Sequence, residues 1–124
     1  MYDISAQRVW LVDRRNKVRR TYLVSGGKDP HLLDPGTYAV YARERHAIAF
    51  NHKETMGYMV SFAHGAHYAI GFHDIPVADA SGSTVQTRGQ LGTPQSAGCI
   101  RQARPDARAM WRFASEGTTV VVTA

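Results

Sequence analysis

The sequence predicts a mainly β protein, an antiparallel β-sandwich with one short packed helix, in a single domain spanning residues 1–124. Three observations carry this expectation. Short runs rich in Val, Ile, Tyr, Trp and Phe recur along the chain between clusters of turn-forming residues, as strands do. Only one stretch spaces its apolar residues as a helix does. The chain has 124 residues and 44% hydrophobic composition, which suits one compact domain, since domains typically take ~100 to 200 residues.

Taken in order, QRVWLVD and KVRRTYLVS read as two strands joined by the polar turn RRNK, a hairpin. Gly26 and Gly27 then interrupt the pattern, and Pro35-Gly36 suits the centre of a type II turn. TYAVYA resumes strand character, MGYMVSFA and HYAIGFH give two further strands, and TTVVVT closes the chain with another. Ala107, Met110, Trp111 and Ala114 fall at i, i+3, i+4 and i+7, with Pro105 near the start and Gly117 just past the end. This is the helix, and its Met and Trp read as core packing. The polar stretch VADASGSTVQTRGQLGTPQSAG has no periodicity and reads as a long loop, a kind of segment that often carries function in compact domains.

The formal net charge of +5 favours anionic partners. Its clearest cluster, DRRNKVRR, brings Arg14, Arg15, Lys17, Arg19 and Arg20 to one turn, either as a solvated hairpin end or as a contact for a polyanion. No recognition helix or base-stacking motif is present, so nucleic acid is not the expected partner. No segment approaches the ~18 consecutive apolar residues of a membrane span, and MYDISAQRVW lacks the apolar run of a signal peptide. Both a cytosolic protein and the mature or excised domain of an exported one fit these facts.

The long loop ends at Cys99, the only cysteine, which therefore has no internal disulfide partner. A lone cysteine is often a small buried hydrophobe. Here Ser96, Ala97 and Gly98 precede it, small residues that allow a tight turn and let backbone N–H groups approach a bound carbonyl oxygen. A cysteine nucleophile acts as thiolate and needs a base or positive field beside it. Of the six histidines, His73 ends the strand HYAIGFH, where alternation places His67, Ala69, Gly71 and His73 on one face and Tyr68, Ile70 and Phe72 on the other. Small side chains at 69 and 71 would leave a groove beside His73.

These residues resemble the catalytic domain of bacterial L,D-transpeptidases, the YkuD type. The likeness covers nearly the whole chain: DISAQRVWLVD is similar to the family's opening hairpin, YLVSGGKDPHLLDPGTYAV to its VS-x-G and TP-x-G segment, IGFHD to its histidine strand, and SAGCIR to its [S/T]HGC-hydrophobic-[R/N] motif. The closing helix and EGTTVVV also match. The resemblance implies Cys99 as nucleophile and His73 as its base, with the Gly98 and Cys99 amides in the oxyanion hole. Ser96 and Arg101 would shape the loop and hold substrate or oxyanion. The backbone carbonyl of Asp74, more than its carboxylate, would orient the base, because neighbours on a strand point to opposite faces. Ala97 stands where the family usually has a second histidine, which bears on substrate fit and rate.

By the same resemblance the reaction is acyl transfer on peptidoglycan tetrapeptide stems. The thiolate attacks the carbonyl preceding the terminal D-alanine, and an amine of another stem resolves the thioester into a cross-link, or water does so in an L,D-carboxypeptidase. It implies an extracytoplasmic site, a monomer without cofactor, and a basic surface suited to anionic wall polymers. Two other readings of the residues stand beside it. His64, His67 and His73 are all zinc-binding types, although no HExxH helix is present. A wall-binding module that kept the fold and lost activity would accommodate Ala97 and the basic hairpin.

Overall fold

Ten strands, one α-helix and a turn of 3-10 helix make up the computed structural model, which describes residues 1–124. The hairpin expected from QRVWLVD and KVRRTYLVS forms as β2 (Arg8–Val12) and β3 (Val18–Leu23). Its turn closes because the Asp13 carboxylate accepts the Arg15 and Lys17 amides at 2.9 and 3.0 Å and Asn16 takes up φ 61°. With β1 (Tyr2–Asp3), β4 (Gly36–Ala39) and β10 (Thr119–Thr123) they form one sheet in the order β3-β2-β1-β10-β4. Pro35-Gly36 does not centre a type II turn. Gly36 is close to fully extended, at φ 158°, and pairs with Val122 as the first residue of β4.

TYAVYA is likewise not one strand. After Ala39 the chain leaves the first sheet, with the Val40 amide bonded to Thr118 and the Tyr41 amide already to Ser61 of the other sheet. There β5 (Ala42–Ile48), β6 (Glu54–His64), β7 (Ala69–Asp74) and β9 (Ile100–Gln102) lie in the order β5-β6-β7-β9, with β8 (Val77–Ala78) along the start of β6. β5 has the sequence ARERHAI, whose charges hide it from a reading based on apolar alternation.

The sandwich is mixed, not purely antiparallel. β1 pairs with β10 and β7 with β9 in parallel, and the remaining pairs are antiparallel. A parallel neighbour needs a long crossover, and between β7 and β9 the loop ending at Cys99 supplies it. Val9, Leu11 and Val122 of the first sheet meet Phe62, Ile70 and Phe72 of the second in one core. Burying each such side chain contributes about 1.5–3 kcal/mol. The helix, α1 (Arg104–Phe113), packs on β6 and β7 through Ala107 and Met110, with Pro105 in its first turn as expected.

Two features of β6 and β7 prepare the site. The pairing register shifts between Ser61 and Ala63, so β6 bulges towards β7. At that point a Cβ on Gly71 would lie 2.3 Å from the Val60 carbonyl oxygen and 2.8 Å from the Ser61 Cα. The glycine thus admits the neighbouring strand, and does not open the groove that the sequence suggested. Gly71→Ala is expected to destabilise the protein by at least about 2 kcal/mol, because backbone on both sides must shift. Urea unfolding of the two proteins measures this.

Candidate active site

The parallel register places His73 opposite Arg101 and Phe72 opposite Ile100, so Cys99 arrives one residue earlier, beside Gly71. Alternation then turns Ile100 into the core, where it is fully buried, and leaves Cys99 and Arg101 on the same face as His73. The three line a cavity of about 300 Å³ roofed by the hairpin of β5 and β6. Met59 and Ser61 of β6 and Ala69 of β7 complete its floor.

His73 is 3% exposed. Its Nδ1 lies 2.5 Å from the Asp74 carbonyl oxygen, which only accepts, so Nδ1 carries the proton and Nε2 keeps its lone pair. Burial lowers its pKa to about 4, with the nearby Arg101 charge acting in the same direction and the carbonyl bond opposing. Burial also pushes the Cys99 thiol up, against a backbone amide bond from Gly71 and the charge of Arg101. Imidazole and thiol are therefore both neutral at pH 7. Desolvation outweighs the positive field that the sequence led us to expect, and the thiol donates to the Ala69 carbonyl at 3.5 Å.

The Asp74 carboxylate points away from this cavity. It accepts the Gly57 amide at 2.8 Å and pairs with Arg104 at 3.0 Å, tying β7 to β6 and α1. Only its carbonyl serves the histidine, as the alternation argument anticipated. Ser96 folds the cysteine turn on itself: its hydroxyl donates to the Cys99 carbonyl and accepts the Gly98 amide at 3.1 Å. That bond commits the Gly98 N–H, which the family resemblance would place in the oxyanion hole. The Cys99 amide is left without a partner in the protein.

The turn is seated on the two glycines after β3. The Gln95 and Ser96 amides both bond the Gly26 carbonyl at 3.0 Å, and a Cβ on Gly27 would come within 3.2 Å of the Gly98 Cα. Arg101 Nη1 donates to the Oε1 of Gln86 at 3.1 Å and to the Gln95 carbonyl at 3.4 Å. Gln86 is buried, and its own amide donates to Ser25. Nothing in the sequence marks Gln86, because its importance comes from long-range contacts.

Strand alternation places Tyr68 on one face with Ile70 and Phe72. It precedes β7 and lines the cavity instead, stacked on Phe50 with ring centroids 4.6 Å apart. Its hydroxyl donates to the Ala97 carbonyl at 2.6 Å, holding the residue that stands in the histidine position of the motif. Neither His64 nor His67 fills that space: His64 stacks on Tyr41 and His67 is exposed. The zinc alternative also loses its geometry, since no three His, Cys, Asp or Glu side chains converge.

Residues 1–122 match the family model of the L,D-transpeptidase catalytic domain, YkuD. The chain belongs to this family. Among solved structures it is similar to an L,D-transpeptidase from Stackebrandtia nassauensis, with TM-score 0.74 and 21% identity over 98% of this chain and 53% of that one. A Mycobacterium smegmatis L,D-transpeptidase gives TM-score 0.73 and 22% identity, covering 98% and 56%. Another, solved with imipenem, gives 0.78 and 19%, covering 98% and 56%. The chain thus spans about half the length of these structures. No curated protein sequence matches it. No helix of this family member is long and apolar enough to cross a membrane.

The buried neutral histidine makes stability depend on pH. Unfolded, His73 binds a proton near pH 6.5, whereas folded it does so only near pH 4, so protons favour the unfolded chain between those values. Stability from this group is complete above about pH 6.5 and falls by about 3 kcal/mol as the pH drops towards 4. Thermal melts across this range should show the decline, and His73→Gln should flatten it.

Proposed function

We propose that this domain is a cysteine-dependent L,D-transpeptidase acting on peptidoglycan tetrapeptide stems. The observation that carries this reading is the convergence of Cys99, the residue before β9, and His73 of the parallel strand β7 in one cavity of a family member. As the sulfur attacks the carbonyl carbon preceding the terminal D-alanine, the thiol proton passes to Nε2 of His73. The carbonyl oxygen becomes an oxyanion that the free Cys99 amide faces, with the Arg101 guanidinium in the same cavity. One such donor is worth about 10²–10³ in rate.

Collapse of the intermediate breaks the C–N bond, His73 returns its proton to the departing amine, and D-alanine leaves a thioester on Cys99. A side-chain amine of a second stem attacks that thioester, His73 takes its proton, and the thiol is restored as the cross-link forms. Because thiol and imidazole are neutral at rest, the proton moves with the attack, as general base catalysis. Asp74 holds the imidazole through its carbonyl, while Ser96 and Gly98 hold the turn. Peptidoglycan as substrate places the domain's action at an extracytoplasmic site.

The test is mass spectrometry of products after incubation with a diaminopimelate-containing tetrapeptide muropeptide. A cross-linked dimer and released D-alanine are expected, and loss of D-alanine without a dimer would make the domain a carboxypeptidase. Cys99→Ala should form no thioester, and His73→Ala should lower its rate by about 10²–10⁴-fold. Ala97 is exposed at the cavity mouth, so Ala97→His should be tolerated. Turnover by Cys99→Ala would end this reading.

A further inference from the structure

A second concentration of charge lies outside the Cys99 cavity, where α1 meets β5. Arg104 and Arg108 stand four residues apart on α1, a separation of about 6 Å along its axis. With Arg45 they converge on Tyr58: Arg45 lies over its ring at 3.9 Å, Arg104 at 5.5 Å, and Arg108 donates to its hydroxyl at 3.2 Å. Tyr58 has φ 57°, a strained conformation for an aromatic residue and one that surrounding structure must hold in place. Beside this cluster runs a groove of about 700 Å³ bounded by Arg45, Arg88 and Arg104.

The one carboxylate lining that groove is Asp74, and both its oxygens are occupied, by the Gly57 amide and by Arg104. Four guanidinium groups against one carboxylate leave three positive charges without a counter-charge. The basic hairpin also keeps three cations unpaired, Arg14, Arg15 and Lys17, after Arg19 and Arg20 pair with Asp13 and Asp106 at 3.8 and 2.8 Å, but none of its guanidinium groups is held over an aromatic ring as Arg45 and Arg104 are over Tyr58.

We propose that the Arg45, Arg88, Arg104 and Arg108 surface binds a linear phosphodiester polymer, in a groove that adjoins the Cys99 cavity across Ala47, Ile48 and Met56 but does not include Cys99 or His73. Guanidinium edges take phosphate oxygens in pairs, and stacking on Tyr58 fixes two of them before any ligand arrives. A peptide stem would bring ammonium groups as well as carboxylates, and this surface has no free acid to receive them. Single-stranded nucleic acid binds by stacking bases on open aromatic faces. Here Arg45 and Arg104 occupy the Tyr58 ring, and Arg43 covers Trp111 at 4.0 Å. The polymer is therefore one recognised by its backbone alone.

The experiment titrates a fluorescent polyglycerol phosphate oligomer into the whole chain at several salt concentrations. Binding should weaken with salt, with a log–log slope on the order of −2 to −3, about −0.7 for each of three or four phosphates. Arg88→Gln/Arg108→Gln should lose at least about tenfold in affinity and flatten that slope. Arg88→Lys/Arg108→Lys, which keeps the charge, should fall between, and Cys99→Ala and Arg14→Gln/Arg15→Gln should bind as the parent does. Circular dichroism melts confirm that each variant is folded. No binding by the parent, or loss confined to the Arg14/Arg15 variant, overturns the proposal. Equal or tighter binding of a DNA oligonucleotide or polyglutamate of the same charge overturns it too.

Discussion

Three backbone pairs between β7 and β9, Phe72 with Ile100, His73 with Arg101 and Asp74 with Gln102, hold the two halves of the site in one orientation. Everything else in the cavity depends on them. Gln102 secures the pairing from the core side: its amide donates to the His73 carbonyl at 3.4 Å and its oxygen accepts the Tyr22 hydroxyl at 2.5 Å. Gln102 is fully buried, so leaving either group without a partner would cost about 1–3 kcal/mol. A hydrogen-bonded line thus runs from the first sheet, through the core, to the backbone of the candidate base.

Asp74 divides its work between two surfaces. Its carbonyl fixes the tautomer of His73, and its carboxylate anchors Arg104 on the outer face. Had the carboxylate turned inward, it would have favoured a charged imidazolium and raised the histidine pKa. With a neutral acceptor and deep burial the reverse holds. A cavity poised with an uncharged thiol and imidazole avoids carrying a desolvated ion pair through the resting state. The Arg101 charge remains available for the oxyanion that forms later in the proposed reaction.

The cysteine turn is held by three contacts. With alanine at position 97, the loop gains its restraint from Tyr68, which bonds the Ala97 carbonyl from across the cavity. A Cβ on Gly98 would come within 3.0 Å of that hydroxyl, so the glycine is required by the tyrosine as much as by the turn. The Ser96 hydroxyl closes the same turn from below. Three restraints thus hold the four residues from Ser96 to Cys99 in one turn.

By itself the sequence determined the β-rich class, the first hairpin, the helix face and the pairing of Cys99 with His73, because each is written in local alternation, turn chemistry or a short motif. Asp74 acting through its carbonyl was legible for the same reason, since side chains alternate along a strand. Tertiary structure alone decided the rest. The parallel pairing of β7 with β9 depends on how a long loop returns, and β5 is a strand through its partner β6, not through its own residues. Gly71 looked like open space until the bulge of β6 filled it, and Tyr68 looked like a strand residue facing with Ile70 and Phe72, whereas β7 begins only after it, at Ala69. The neutral state of Cys99 and His73 follows from burial, a property that no neighbouring residue in the chain encodes.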